Sequence, residues 1–582
     1  MVRRSLIVVV LVAGVASAVA SAAVGSARRS SQESVATSVL MPGVTYTREV
    51  DFTLRGPIVL DVVTAPKPDG SLYSLAPALS NNQLRGRESL AKLDARVAAG
   101  STSVAIDGDY FDSSGAPSGI YLENGVLDSA PGDGRSSLGI GADGTLTTGR
   151  VSLGGIWQGN GQRRPLLLNT STGKFSLYTP VYGGATPRES GVVEAVIGSF
   201  PQAQLDTPLD GTVTRVTTAG PTTIPPGGAV IVARGSQSTA QLKAEAPVGQ
   251  QVEAQLSLSP DWSDLASAIG GGPLLVRNGK PIFHAGESFQ SRQLNGRQPR
   301  GAIGQLADGR IVLVGVEGTR PSYSIGMSNY ELAVELSRLG ATTAFGLGSG
   351  SAAGIAFDGS LLTRPSGGTV PKVSDALVLS YSGIYAAPPS TSVLSPNHDG
   401  DDDVQTLSYR VVRPSHVVAT LAGPGGTKVT VVDAAEPPGL HTFGWNGTVA
   451  GAVAPEGNWT FTVTGTDDRK VTTTAQRAFS LDDTLSSLAL QPGPHGLPTA
   501  TFRLTRPARI LVQIERPTGV PVATVRAGPA AAGPVQVAWH GRSGKRRVPG
   551  GHYQVVVQAT SSVGTSSLAA GFSYRRPHRK HH

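Results

Sequence analysis

Two stretches of the chain repeat one another. Tyr409-Arg410-Val411-Val412-Arg413-Pro414 returns 93 residues later as Phe502-Arg503-Leu504-Thr505-Arg506-Pro507. Trp445-Asn446-Gly447 returns 94 residues later as Trp539-His540-Gly541. In each copy the Trp precedes a Pro by ten residues (Pro455, Pro549), and Gly457-Asn458-Trp459 or Gly551-His552-Tyr553 follows. A repeat of this length with short alternating strands requires two like units in tandem and fits immunoglobulin-like sandwiches. A bulky ring beside a turn reads as core packing, with a stacking platform for sugar as the alternative. Pro388-Pro389 marks a linker, placed at 385–392, before units at 393–482 and 483–574.

Upstream, the most informative run is Val104 to Asp112, Val-Ala-Ile-Asp-Gly-Asp-Tyr-Phe-Asp. Apolar residues suited to a strand lead into Asp107-Gly108-Asp109. Sites form where a buried strand ends in carboxylates, and Gly108 permits a sharp turn or a close ligand. On spacing alone, a polar turn is the competing reading. Leu90, Leu93 and Val97 predict a helix, stopped by Gly100, that delivers the chain to this strand. Ser328 and Glu331 form a capping box for a second helix, with Leu332, Leu336 and Leu339 on its stripe and Gly340 at its end. The strand Thr342 to Leu347 then opens into Gly348-Ser349-Gly350-Ser351-Ala352-Ala353-Gly354, a frame for a site at the loop. Gly270-Gly271-Gly272 brings backbone amides close to whatever lies opposite, an anion or simply a tight β-bend. Residues 160–260 read as a strand-rich insert.

With 582 residues the chain holds several domains. Seventy-four glycines and 41 prolines favour short strands and many turns. The absence of cysteine removes thiolate chemistry and cysteine metal sites. The net charge of +8 is carried by the two ends, so the body from Ser30 to Tyr574 is neutral and lacks the footprint of a nucleic-acid binder. Arg3-Arg4, the apolar run Leu6 to Val15 and small-residue sites up to Ala22 predict a secretory signal peptide over 1–22, with an uncleaved anchor as the alternative. Residues 23–45 read as a disordered leader. The expected location is therefore extracellular or cell-wall associated, with no membrane span after cleavage. The basic tail 575–582 is a candidate contact for anionic wall polymers, or a solvating end.

Asp107-Gly108-Asp109-Tyr110-Phe111, Gly115-Ala116-Pro117-Ser118-Gly119 and Glu123-Asn124-Gly125 together resemble a known signature. It is the Asn-Gly-Asp-Phe-Phe, Gly-Ala-Pro-Ser-Gly, Asp-Gly series of phosphodiester glycosidase domains. Further blocks match in order to about residue 381. Gln298-Pro299-Arg300-Gly301 stands for His-Pro-Arg-Thr, and Glu317-Gly318-Thr319 for Asp-Gly-Arg, with Arg320 its neighbour. Leu347-Gly348-Ser349-Gly350-Ser351-Ala352 stands for Leu-Asp-Gly-Gly-Gly-Ser, and a closing Glu-Arg pair falls on Val370-Pro371. The tandem units resemble the Ig-like domain of flagellar hook-capping proteins. The expected architecture is an α+β catalytic-like domain with a mixed sheet over 46–384, followed by two all-β sandwiches.

This resemblance implies that a sugar is split from a phosphate, which needs carboxylates as acid, base or nucleophile and arginines as phosphate clamps. The candidate carboxylates are Asp107, Asp109 and Glu317, and the candidate clamps are Arg300 and Arg320. Gly108, Phe111, Gly271, Gly272, Ser349 and Ser351 are the candidate substrate contacts. Two functions stay open. One is a secreted hydrolase of phosphate-linked or wall-associated glycan. The other is a catalytically degenerate glycan-binding or adhesive surface protein, which Gly348 in place of the loop carboxylate favours. Separately, Asn397, Asp399, Asp401 and Asp403 alternate around Gly400 at the start of the first repeat unit and suit Ca²⁺ as a structural cofactor, with a plain acidic turn as the alternative.

Overall fold

The computed structural model describes residues 33–576, apart from 219 and 284. The expected signal peptide at 1–22 and the tail from 577 onward lie outside the described residues. The first domain is built on two facing sheets. An eight-stranded sheet runs in the order Glu33–Met41, Val44–Thr53, Gly56–Ala65, Ile311–Val316, Arg300–Leu306, Ala341–Ser349, Leu274–Arg277 and Lys280–Pro281. A five-stranded sheet runs Ser360–Leu361, Ile355–Phe357, Thr102–Asp107, Asp375–Tyr381 and Tyr73–Leu79.

Strand periodicity explains the layers. In Gly56–Ala65, Ile58, Leu60 and Val62 face one way, and Val63 and Ala65 the other. The facing sides of the two sheets meet in a core of Val63, Val104, Ile106, Ile303, Leu313, Phe345, Leu377 and Leu379. Each outer face is covered by one helix. Asn329–Arg338 lays Leu332, Ala333 and Leu336 on Leu60, Val312 and Val314. Leu90–Ala98 lays Leu90 and Leu93 on Ala105, Ala376 and Val378. The layers are thus helix, sheet, sheet, helix. Thr102–Asp107 is covered on both faces, which is why it reads as a continuous apolar run. The expected capping box at Ser328 and Glu331 is formed.

Two expectations are corrected, those for the leader and the linker. Residues 33–41 of the expected leader form an edge strand paired with Val44–Thr53. Val35, Thr37 and Val39 have the β-branched alternation of a strand, which a Ser- and Ala-rich composition hides. The two main sheets of the first domain are antiparallel throughout, and the expected mixed sheet is found in the insert. Strands dominate, and parallel pairing occurs in the insert, between Leu167–Leu168 and Phe175–Tyr178. The linker at 385–392 begins as structure: Tyr385–Ala386 pairs with Tyr409 and Arg410, and both residues are buried. Arg410 also reaches back to Asp358 (2.6 Å) and the Ser101 carbonyl, fastening this unit to the first domain.

Each C-terminal unit has two sheets around its own core. The repeated residues do equivalent work. The Trp445 and Trp539 indoles are buried and donate to the carbonyls of Thr448 and Arg542. Trp459 and Tyr553 donate to Pro455 and Pro549, each at 2.9 Å. These rings are core, and none is a free sugar platform. No helix among the described residues is long and apolar enough to cross a membrane.

Candidate active site

Three carboxylates, all buried, meet where the adjacent strands Thr102–Asp107 and Asp375–Tyr381 end. Asp107 Oδ1 accepts from the Gly354 amide at 3.0 Å, and its Oδ2 is buried without a partner. Asp375 Oδ1 accepts from the Asp109 amide at 2.8 Å and from Ser374 Oγ at 3.1 Å, and its Oδ2 is likewise unpartnered. Asp109 accepts from the amides of Tyr110 (2.7 Å) and Gly119 (2.6 Å). Gly119 closes the Gly-Ala-Pro-Ser-Gly block, so that block exists here to fold back onto Asp109.

Glycines make room for the cluster. A β-carbon at Gly108 would lie 2.4 Å from Asp375 Oδ1, and one at Gly270 would lie 2.3 Å from Asp109 Oδ2. β-Carbons at Gly301 and Gly348 would lie 2.4 and 2.6 Å from the two oxygens of Asp107.

Burial pushes the pKa of all three acids upward, and the Asp375 charge raises Asp107 and Asp109 further. Like charges this close in a poorly polarisable site repel by about 4 kcal/mol at 4 Å, so protons are retained. A carboxyl kept protonated near neutral pH is the form a general acid requires.

Beside this floor stand Tyr110, Arg135, Phe289, Ser349 and Arg300. Arg135 lies 5.3 Å from the Tyr110 ring centre and 4.5 Å from that of Phe289. Its charge favours ionised Asp109. The Tyr110 hydroxyl lies beside Ser349, whose Oγ accepts from Gln298 Nε2 at 3.3 Å. Arg300 is 2% exposed, with Nε donating to the Met327 carbonyl and Nη2 to those of Gln293 and Gly296. Burial lowers its pKa to about 10. Arg300 therefore spends three hydrogen bonds building the rim.

The other expected residues are placed as follows. Glu317 is partnered elsewhere: its Oε1 accepts from Arg48 (3.1 Å) and the Arg364 amide (2.8 Å), and Arg48 also pairs with buried Asp61 at 3.2 Å. Arg320 donates to the Ser366 carbonyl at 3.2 Å. Phe111 packs against the Leu90 and Leu93 core with Arg87 over its ring. The amides of Gly270 and Gly272 are taken by the Ile120 and Gly346 carbonyls, which leaves neither of them open to an anion. Ser351 is exposed on a short turn. Sequence reasoning missed Asp375, Arg135 and Phe289. Asp375 had a signal: it opens the apolar run Ala376 to Leu379 as Asp107 closes its own.

The acidic loop of the first repeat unit closes on itself. Both Asp403 oxygens accept amides, from His398 (2.6 Å) and Gly400 (2.8 Å), and Asp399 accepts from Asp401 N at 2.9 Å. Asn397 donates to Ser395 and to the Ser567 carbonyl. Asp399, Asp401 and Asp403 do not converge into a metal-holding group among the described residues.

Comparison with known proteins follows this division of the chain. Residues 204–380 match the phosphodiester glycosidase family model, and residues 496–562 match that of the FlgD Ig-like domain. The chain is 30% identical over 132 residues to the SPbeta prophage-derived uncharacterized protein YomE of Bacillus subtilis (strain 168), covering 23% of this chain and 20% of that one. The chain thus spans about a fifth of this curated relative's length. A hypothetical protein from Synechocystis is similar in structure at 27% identity and TM-score 0.49, covering 58% of this chain and 62% of that one. So is a putative exported protein from Burkholderia pseudomallei, at 18% identity and TM-score 0.49, covering 61% and 97%. Residues 204–380 are thus similar to phosphodiester glycosidase domains, and residues 496–562 to FlgD Ig-like domains.

Proposed function

We propose that the first domain hydrolyses the bond between a sugar and a phosphate in a secreted, wall-associated setting, with Asp109 as acid/base and Asp107 and Asp375 beside it. The observation that carries this reading is the trio of buried carboxylates with raised pKa values at two adjoining strand ends. A polar cavity of about 390 Å³, lined by Ser118, Gly132, Asp133 and Asn169 among others, adjoins the loops that carry Asp109 and Arg135 and is large enough for a sugar. We further infer that residues 393–482 form a second Ig-like unit and that the pair serves as a spacer.

The competing reading, a glycan binder without turnover, draws support from Gly348 and Thr319, where the family pattern has Asp and Arg. Incubation of purified chain with a chromogenic N-acetylglucosamine phosphodiester separates the two. Hydrolysis is expected, and Asp109→Asn should reduce kcat by about 100-fold or more. Saturable binding without turnover would establish the binder instead.

A further inference from the structure

Among the described residues Arg135 has no counterion. Several other partly buried arginines of this chain are paired, Arg164 with Glu245, Arg234 with Glu189 and Arg410 with Asp358. Arg135 instead lies over two neighbouring aromatic rings, Tyr110 and Phe289, whose centres are 5.5 Å apart. Its Nη1 is buried and has no hydrogen-bond partner. A buried donor left without an acceptor is costly, so a fold does not keep one without compensation.

The backbone on either side of Arg135 is fixed. Ser136 donates from both N and Oγ to Glu287 at 2.9 and 3.0 Å, and the Ser288 amide donates to the Gly134 carbonyl at 2.9 Å. Ser136 and Glu287 are both buried. Gly272 approaches Phe289 so closely that a β-carbon there would lie 3.0 Å from its ring. The guanidinium is therefore held in place by packing, with one donor edge unspent, close enough to Asp109 to bias its ionisation.

We propose that Arg135 is the anion clamp of this site and that its free edge takes the phosphoryl oxygens of the substrate, the role the sequence pattern assigned to Arg300 and Arg320. Packing against the two rings keeps the guanidinium from turning to pair with Asp109, leaving the acid to hold its proton and the cation to hold the phosphate. A planar fork that accepts two oxygens suits a phosphoryl group better than a point charge does. This inference rests on the proposed hydrolase reading but is tested apart from it.

The test is the melting temperature of the full chain titrated with inorganic phosphate, against chloride at matched ionic strength. Phosphate should raise the melting temperature of the wild type. Arg135→Gln, which keeps most of the stacking area, should weaken the apparent phosphate affinity by at least tenfold. Arg135→Lys, which keeps the charge but not the fork, should fall between. Melting curves without phosphate report whether each variant folds. Equal phosphate response in wild type and both folded variants overturns the assignment, as does no response in wild type. Phosphate binding through Arg135 in a chain that turns over no glycosyl phosphate keeps the clamp and removes the hydrolase reading. Turnover with KM unchanged in Arg135→Gln keeps the hydrolase and removes the clamp.

Discussion

A β-carbon at Gly348 would sit 2.6 Å from Asp107 Oδ2 and 3.4 Å from the Gly108 carbonyl, with Asp107 already lodged against Gly301 on its other side. Restoring the family's Asp at 348 would force a second carboxylate into that space. Gly348→Asp is accordingly expected to lower stability by about 2–4 kcal/mol through overpacking and an unpaired buried charge. Adding Asp107→Asn, the residue the family pattern has there, should recover part of it. Denaturant unfolding of the two single variants and the double variant measures the coupling, and strict additivity would contradict the contact. Arg300→Ala is likewise predicted to destabilise, by about 2–4 kcal/mol, because three carbonyls lose their donor. Unfolding curves identical to wild type would show that those bonds contribute nothing. Position 107 was legible as a site residue from its strand and glycine neighbours. The close contact of residues 107, 301 and 348 was not, because 301 and 348 lie on adjacent strands of one sheet and 107 on the other, and only the packing of the two sheets brings them together.

At the scale of elements, the helices, the glycine turns and the tandem units could be read from periodicity, capping residues and repeats, since each of these is local. The edge strand Glu33–Met41 could not, because its pairing with Val44–Thr53 is a tertiary choice that overrides a leader-like composition. The surroundings of Glu317 were hidden for a similar reason: Arg48, which donates to it, comes from a strand 269 residues earlier. Arg135 carried no motif, and its importance lies in what packs around it. The loop 397–403 makes a separate prediction. Asp403 holds it by accepting from His398 and Gly400, so Asp403→Ala should lower the melting temperature whether or not calcium is present. A melting temperature raised by millimolar calcium, reversed by chelator and insensitive in Asp399→Ala would instead make the loop the cation site its spacing suggested.

Over the whole molecule, buried acids set the response to pH. Burial raises Asp94 to about 6 and Asp128 to about 7, and moves Asp61, Asp107, Asp109 and Asp375 in the same direction. An aspartate in the unfolded chain titrates near 4. Between about 4 and 7 the folded chain therefore binds more protons than the unfolded one. Stability is fully present below the lower value and is lost as pH rises through the folded values. Melting should occur at a higher temperature at pH 5 than at pH 8. A melting temperature that rises across this range would mean that these acids are ionised in the folded state.

The central claim is that the three carboxylates at the ends of Thr102–Asp107 and Asp375–Tyr381 act together as a hydrolytic site. Asp375 tests it most directly, because it enters the cluster through the fold alone. Asn at this position keeps an oxygen for the Asp109 amide but removes the proton-binding carboxyl. The decisive measurement is the kcat for a chromogenic N-acetylglucosamine phosphodiester, wild type against Asp375→Asn. The account predicts turnover by wild type and a loss of about 100-fold or more in the variant, with its melting temperature nearly unchanged. Wild-type kcat in folded Asp375→Asn, or no turnover by either protein, would contradict it.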